Sequence, residues 1–207
     1  MVVRPLFRGD DDGSIPISPL QLYVYSCALD TAIFLNEEWH SVFPKCSKSN
    51  MQRSGRLMCF AAEFANRYYA SAIWSRPVAA NRLLGGAFIM ELRRLAIGPG
   101  APKNTASRML RVMISEIKKA HPDVEKLISY QDTDAHTGTI YKASGWVVAG
   151  VSSCADWTNR KRRAKPQSAV VKVRWERTLA QTCRTQVGFA SAEAAPVEQM
   201  LINLDAK

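Results

Sequence analysis

Two acids and a histidine fall within five residues at Asp132, Asp134 and His136, directly behind an apolar run, and a tyrosine follows at Tyr141. Carboxylate, imidazole and phenol are the side chains that move protons near neutral pH. The carboxyl end of a strand in an α/β fold is where sites gather, and Asp132 stands there, while Asp134 suits a turn. Upstream, Ile97-Gly98-Pro99-Gly100-Ala101 opens onto a helix whose start holds Lys103, Asn104 and Ser107. Free backbone N–H groups and the dipole at such a start attract a pyrophosphate or another anion. Gly98, Gly100, Lys103, Asn104 and Ser107 are therefore candidates for holding an anionic cofactor beside a place for proton transfer.

Each of these residues also has an ordinary structural use. A glycine turn before a helix is commonly only a tight turn, and Asn104, Thr105 or Ser107 can cap. His136 precedes Thr137-Gly138 at another helix start, where it either orients a carboxylate or caps. His40 follows the end of a helix and would suit its dipole. Tyr141 either donates a proton or packs beneath a sheet. Glu91 and Arg94 alternate with Leu92 and Leu95 along a strand, fitting a buried ion pair or the wall of a cleft. His40, Asp132 and His136 are also a two-histidine, one-carboxylate set of the kind that suits non-haem iron. Spacing along the chain does not show convergence, so a metal stays an open alternative.

The elements that must position these groups are readable at coarse resolution. Residues 20–26 read as a first strand, and 28–39 as a helix with Ala28, Ala32, Leu35 and Trp39 near helical spacing. Residues 40–54 are polar, broken by Pro44, and read as a loop. Strand-like runs at 56–64 and 67–75 are separated only by Ala65-Asn66, short enough for a hairpin. A second loop at 77–86 leads to a strand at 88–97. The helix after the glycine loop carries Met109, Leu110, Met113, Ile114 and Ile117 on one face and stops at His121-Pro122. A buried strand at 127–130, a short helix at Thr139–Ala143 and a late strand at 169–177 complete the series. Residues 1–19 read as a lead-in, 20–178 as one domain and 179–207 as a tail.

At 207 residues the chain suits one packed domain. It has no apolar run of membrane-spanning length, and 1–16 lack the apolar core of a secretory signal. Its five scattered cysteines (Cys27, Cys46, Cys59, Cys154 and Cys183) favour a reducing cytoplasm over a disulfide frame. The net charge of +10 calls for an acidic partner. The excess concentrates between 159 and 177, where Arg160, Lys161, Arg162, Arg163, Lys165, Lys172, Arg174 and Arg177 stand against Glu176 alone, with Trp157 and Trp175 flanking the run and a basic loop at 157–166. Basic side chains neutralise phosphates and an indole offers a base a stacking face. A solvated loop is the competing explanation.

The order hairpin, long strand, glycine loop, helix, strand, short helix, strand resembles the GCN5-related N-acetyltransferase (GNAT) fold: a mixed sheet with splayed parallel strands, flanked by helices. Within that superfamily, ELRRLAI, PKNTASR, ISYQDTDAHTGTIYKASGW and the upstream EEWHS resemble the Mom family of bacteriophage DNA-modification proteins. The combination P-K-N-x-x-S, S-Y-x-D and H-x-G-x-I-Y-K-A is specific; the resemblance is strongest over residues 91–150, thinner around 38–41, and gives out in the first twenty residues and after Arg177. Two departures stand out. Ser41 follows His40 where the family typically has tyrosine, and Gln131 occupies a position where a small residue is more usual.

The resemblance implies an enzyme that converts adenine in double-stranded DNA to N6-carbamoylmethyladenine and protects phage DNA from restriction in the host cytoplasm. It implies His40, Asp132, Ser107, Tyr141 and His136 as catalytic groups, with Tyr141 the proton donor to a departing thiolate as in many GNAT enzymes. An acyl-CoA or related activated donor would lie on the glycine loop, and Trp39, Trp74 or Trp157 would stack on a base flipped from the duplex. Plain acyl transfer cannot be the whole reaction, because the product is joined through a methylene. Double-stranded DNA is the expected partner, no membrane is, and a homodimer is compatible. A GNAT enzyme acetylating a small amine or protein, and a non-catalytic DNA-binding module, are the alternatives.

Overall fold

The computed structural model describes residues 15–39, 47–53, 56–77, 79, 88–133, 137–152 and 171–179. His40, Ser41, His136, Trp157 and the basic residues Arg160, Lys161, Arg162, Arg163 and Lys165 lie outside them. Seven strands form one sheet: β1 (Tyr23–Ser26), β2 (Met58–Phe64), β3 (Arg67–Ser75), β4 (Ile89–Ile97), β5 (Lys126–Asp132), β6 (Val147–Ser152) and β7 (Lys172–Thr178). Their spatial order is β1-β2-β3-β4-β5-β7-β6. Four helices accompany them: α1 (Leu29–Trp39), α2 (Lys48–Arg53), α3 (Thr105–Ala120) and α4 (Thr139–Ala143). Among the described residues no helix is long and apolar enough to cross a membrane.

Several expectations are corrected. Residues 19–21 form a capped 3-10 turn, closed by Ser18 and Gln21, so the first strand begins at Tyr23 and not at residue 20. Within the stretch read as loop, Lys48–Arg53 is helical because Met51, 2% exposed, plugs a small cluster with Ala32, Cys59 and Ile73. One anchored apolar side chain outweighs a polar composition there. The strand read at 127–130 runs on to Asp132, which is its last residue. The β2–β3 hairpin turns through Ala65 and Asn66, both at positive φ, as a two-residue hairpin requires.

The joint between β4 and β5 shapes the molecule. All other neighbouring strands are antiparallel, but β4 and β5 are parallel and pair only from Ile89↔Lys126 to Leu92↔Ser129. Beyond that rung β4 and β5 no longer pair. A β-bulge marks the same level: Trp74 faces Leu92 and Ile73 faces Arg94, leaving Arg93 as the extra residue. A bulge bends and twists its strand, and this one turns β4 away from β5. The result is a V whose lips are the C-terminal halves of both strands.

Each sheet face has its own cover. The larger core gathers Phe60, Trp74, Met90, Leu127 and Trp175 beneath α3, whose Met109, Leu110, Met113, Ile114 and Ile117 are all buried. Tyr141 of α4 joins this core, and the Trp74 indole N–H donates to Met113 Sδ at 3.1 Å. The opposite face of β2–β4 carries α1. Because side chains alternate along a strand, Ser129 and Gln131 belong to the α3 face and Tyr130 and Asp132 to the other.

Candidate functional site

The chain leaves β4 at Ile97, makes the glycine turn and enters α3 at the mouth of the V. Gly98 N–H is held by the Tyr69 carbonyl at 2.9 Å, which ties the turn to β3. The two glycines do different work. Gly100 has a φ of 78°, the left-handed region that glycine favours. Gly98 is needed for space, since a Cβ there would fall 2.8 Å from the Trp39 indole. Trp39, offered as a base-stacking aromatic, thus packs on the glycine turn. Trp74, offered for the same role, and Trp175, offered as a stacking face beside the basic run, are buried and belong to the core.

Asn104 and Thr105 do not cap α3 as expected. Asn104 takes the N-cap position at a φ of 69° with no side-chain cap bond, and Thr105 Oγ1 turns back to the Pro102 carbonyl at 2.6 Å. The Thr105 and Arg108 N–H groups bond to Pro102 and Asn104 carbonyls. Ala106 and Ser107 N–H groups are then without a backbone acceptor among the described residues, at the positive end of a 16-residue helix. Ser107 is half-buried and Lys103 is exposed. Arg108, one residue on, has a buried Nε without a hydrogen-bond partner among the described residues. Burial pulls its guanidinium down from the ordinary arginine range. Orphaned N–H donors and a desolvated cation fit an anionic donor such as a pyrophosphate. Sequence reasoning missed Arg108, although it adjoins Ser107 in the quoted PKNTASR.

On the far lip, Asp132 ends β5 opposite Lys172 of β7 and is half-buried. Tyr141 is on the other face. Its ring is 7% exposed, stacked on Trp175 at 5.3 Å and edge-on to Trp146 at 5.6 Å. Its hydroxyl is 2.8 Å from Ser129 Oγ. Burial raises the phenol above its ordinary range and the Ser129 bond opposes that shift. Asp132 and Tyr141 therefore approach the V from opposite sides of the sheet and do not form one cluster on one face. Ser144 Oγ reaches the Ser107 carbonyl at 3.4 Å, so the first turn of α3 and the end of α4 meet.

Glu91 is buried and pairs with Arg93 at 3.7 Å, where Arg94 was the expected partner. Residues two apart share a face of a strand, so ordinary alternation brings Glu91 and Arg93 together. Among the described residues no group of three His, Cys, Asp or Glu side chains is placed to hold a metal. Of the trio considered for iron only Asp132 is described.

The family model of the Mom protein family matches residues 75–200, taking in both lips of the V, the glycine turn and all of α3 and α4. The chain belongs to the Mom family. No curated protein matches it by sequence. Among solved structures, the ribosomal-protein-S18-alanine N-acetyltransferase of Escherichia coli is similar to this Mom-family chain at a TM-score of 0.56 and 15% identity, covering 79% of this chain and 97% of that one. A Salmonella typhimurium acetyltransferase with acetyl-CoA gives 0.56 and 12%, over 78% and 96% of the two chains. A Bacillus subtilis acetyltransferase in complex with CoA gives 0.53 and 12%, over 76% and 97%. The fold of this Mom-family chain is that of the GNAT acetyltransferases, as the order of its elements implied.

Proposed function

We propose that this Mom-family chain is a transferase that modifies N6 of adenine in double-stranded DNA, giving N6-carbamoylmethyladenine. The observation that carries the reading is the family match across residues 75–200, because that span holds the V, the glycine turn and every quoted motif except the upstream EEWHS. Two solved relatives of the fold hold CoA or acetyl-CoA. That supports an acyl-CoA or related activated donor, its phosphates on the Ala106 and Ser107 N–H groups and its reactive end in the V. Asp132 then serves the acceptor side, and the family resemblance assigns His40 to the same chemistry. Tyr141 and Ser129 serve the donor side. The +10 charge and the basic loop supply the DNA contact, and protection of phage DNA from restriction is the biological outcome.

Expression in bacteria followed by mass spectrometry of total nucleosides tests the reading. A modified deoxyadenosine that disappears with Asp132→Ala and His40→Ala is the expected result. Unmodified DNA in the presence of soluble protein would sink it. The fold of the solved neighbours favours a second reading, acetylation of a small amine or protein, which would show as acetyl-CoA turnover on amines without DNA.

A further inference from the structure

Gln131 precedes Asp132 on β5, and its side chain does a specific job. It is 6% exposed in the α3-side core. Its Oε1 accepts the Trp175 indole N–H at 2.7 Å. Trp175 in turn carries the Tyr141 ring stacked on its face at 5.3 Å, with 17° between the planes. The same oxygen lies against Gly138, the N-cap of α4, at a φ of 74°. A Cβ on Gly138 would fall 2.5 Å from Gln131 Oε1 and 2.7 Å from Trp175 Cζ2. Gly138 is glycine for two reasons, its backbone angle and the amide beside it. The Tyr141 N–H bonds to the Gly138 carbonyl at 3.1 Å, so the residue that Gln131 touches also starts the turn bearing Tyr141.

We infer that Gln131 is a positioning residue: its amide locks Trp175 and Gly138, and thereby fixes Tyr141 relative to Asp132, its own neighbour on β5. Asp132 points to one face and Tyr141 lies on the other, so no direct contact sets their separation. Gln131 supplies it through the strand on one side and the indole and α4 on the other. A buried amide whose acceptor meets an indole N–H is satisfied only in one orientation. Removing that acceptor leaves the Trp175 N–H buried and unpaired, which frees the ring that Tyr141 leans on.

The inference rests on the DNA-modification reading for its functional half alone, and the experiment separates the two. Hydrogen exchange is measured on wild type, Gln131→Leu and Gln131→Glu, the last keeping an acceptor oxygen at the same reach. Gln131→Leu is expected to speed exchange across residues 137–142 and 172–178 by about tenfold or more, with the β2–β3 hairpin unchanged. Gln131→Glu should stay within about twofold of wild type. On DNA, Gln131→Leu should lower kcat by about tenfold or more with KM for DNA within about twofold, and Gln131→Glu should restore kcat. Unchanged exchange near α4, or faster exchange spread evenly over the domain, overturns the inference. So does a loss of kcat that Gln131→Glu fails to recover. If wild type leaves adenine unmodified, the functional reading fails while exchange still decides the role of Gln131.

Discussion

The Tyr141 and Ser129 hydroxyls lie 2.8 Å apart at the last rung that joins β4 to β5. One residue of that pair ends the parallel ladder and the other belongs to α4, so the two hydroxyls meet where the sheet opens. Burial keeps the phenol protonated well above neutral pH. The protonated phenol lies at the vertex of the V, held in place by stacking on Trp175.

Tyr141→Phe keeps the ring and its stacking and removes only the donor. The expected outcome is a drop in adenine modification of about a hundredfold. The stability cost should be about 1 kcal/mol, the usual size for one hydrogen bond. Ser129→Ala should cost less than about tenfold, because the phenol survives. Nucleoside mass spectrometry and urea unfolding check both variants. Equal activity losses would leave Tyr141 a packing residue.

Much of this fold was legible in periodicity. The β2–β3 hairpin, the strand into the glycine turn and the amphipathic face of α3 follow from local pattern alone. Three features did not, each for a tertiary reason. Lys48–Arg53 is helical because Met51 finds a pocket under α1, which composition cannot show. Arg93 is a bulge only relative to β3, a register that local pattern does not carry. Trp39 on Gly98 joins residues far apart in the chain. The placement of Asp132 and Tyr141 on opposite faces was half legible: odd spacing separates Asp132 from Ser129, but only the fold puts Tyr141 against Ser129.

Gly98→Ala drives a methyl into Trp39, whose Cε2 and Cζ2 would be 2.8 Å away. Overpacking of this kind costs about 1–3 kcal/mol. It should also displace the Ala106 and Ser107 N–H groups and weaken binding of CoA. Trp39→Leu in the same chain should return most of the stability, giving a coupling of about 1 kcal/mol or more in a double-mutant cycle. Strictly additive unfolding energies would show that the indole moves aside freely.

Burial pushes the Cys27 thiol from an ordinary 9.0 up to about 11. At pH 8 its thiolate is therefore scarce, and alkylation by iodoacetamide should run about a hundredfold slower than for an unperturbed thiol. The raised value also sets a sign for stability. The contribution is full below about pH 9 and is lost as pH rises through about 11, because the unfolded thiol ionises first. Cys27→Ala should flatten the alkaline limb of the urea midpoint between those values. Peptide mass spectrometry of the alkylated chain and unfolding at stepped pH test the two statements.

Reversing charge at Arg160, Lys161, Arg162 and Arg163 tests the basic loop apart from the chemistry. For every phosphate that no longer meets a cation, the slope of log affinity against log salt should become less negative by about 0.9. Affinity for duplex DNA should fall at low salt, while modification at saturating DNA should keep its rate, since Ser107, Asp132 and Tyr141 are untouched. Lys118→Glu is the matched control, being an exposed charge in the last turn of α3, away from the mouth of the V. It changes net charge by the same amount per site, so a general electrostatic effect would move both variants alike. A salt slope that shifts equally per charge in the control would assign DNA binding to overall charge and not to this loop.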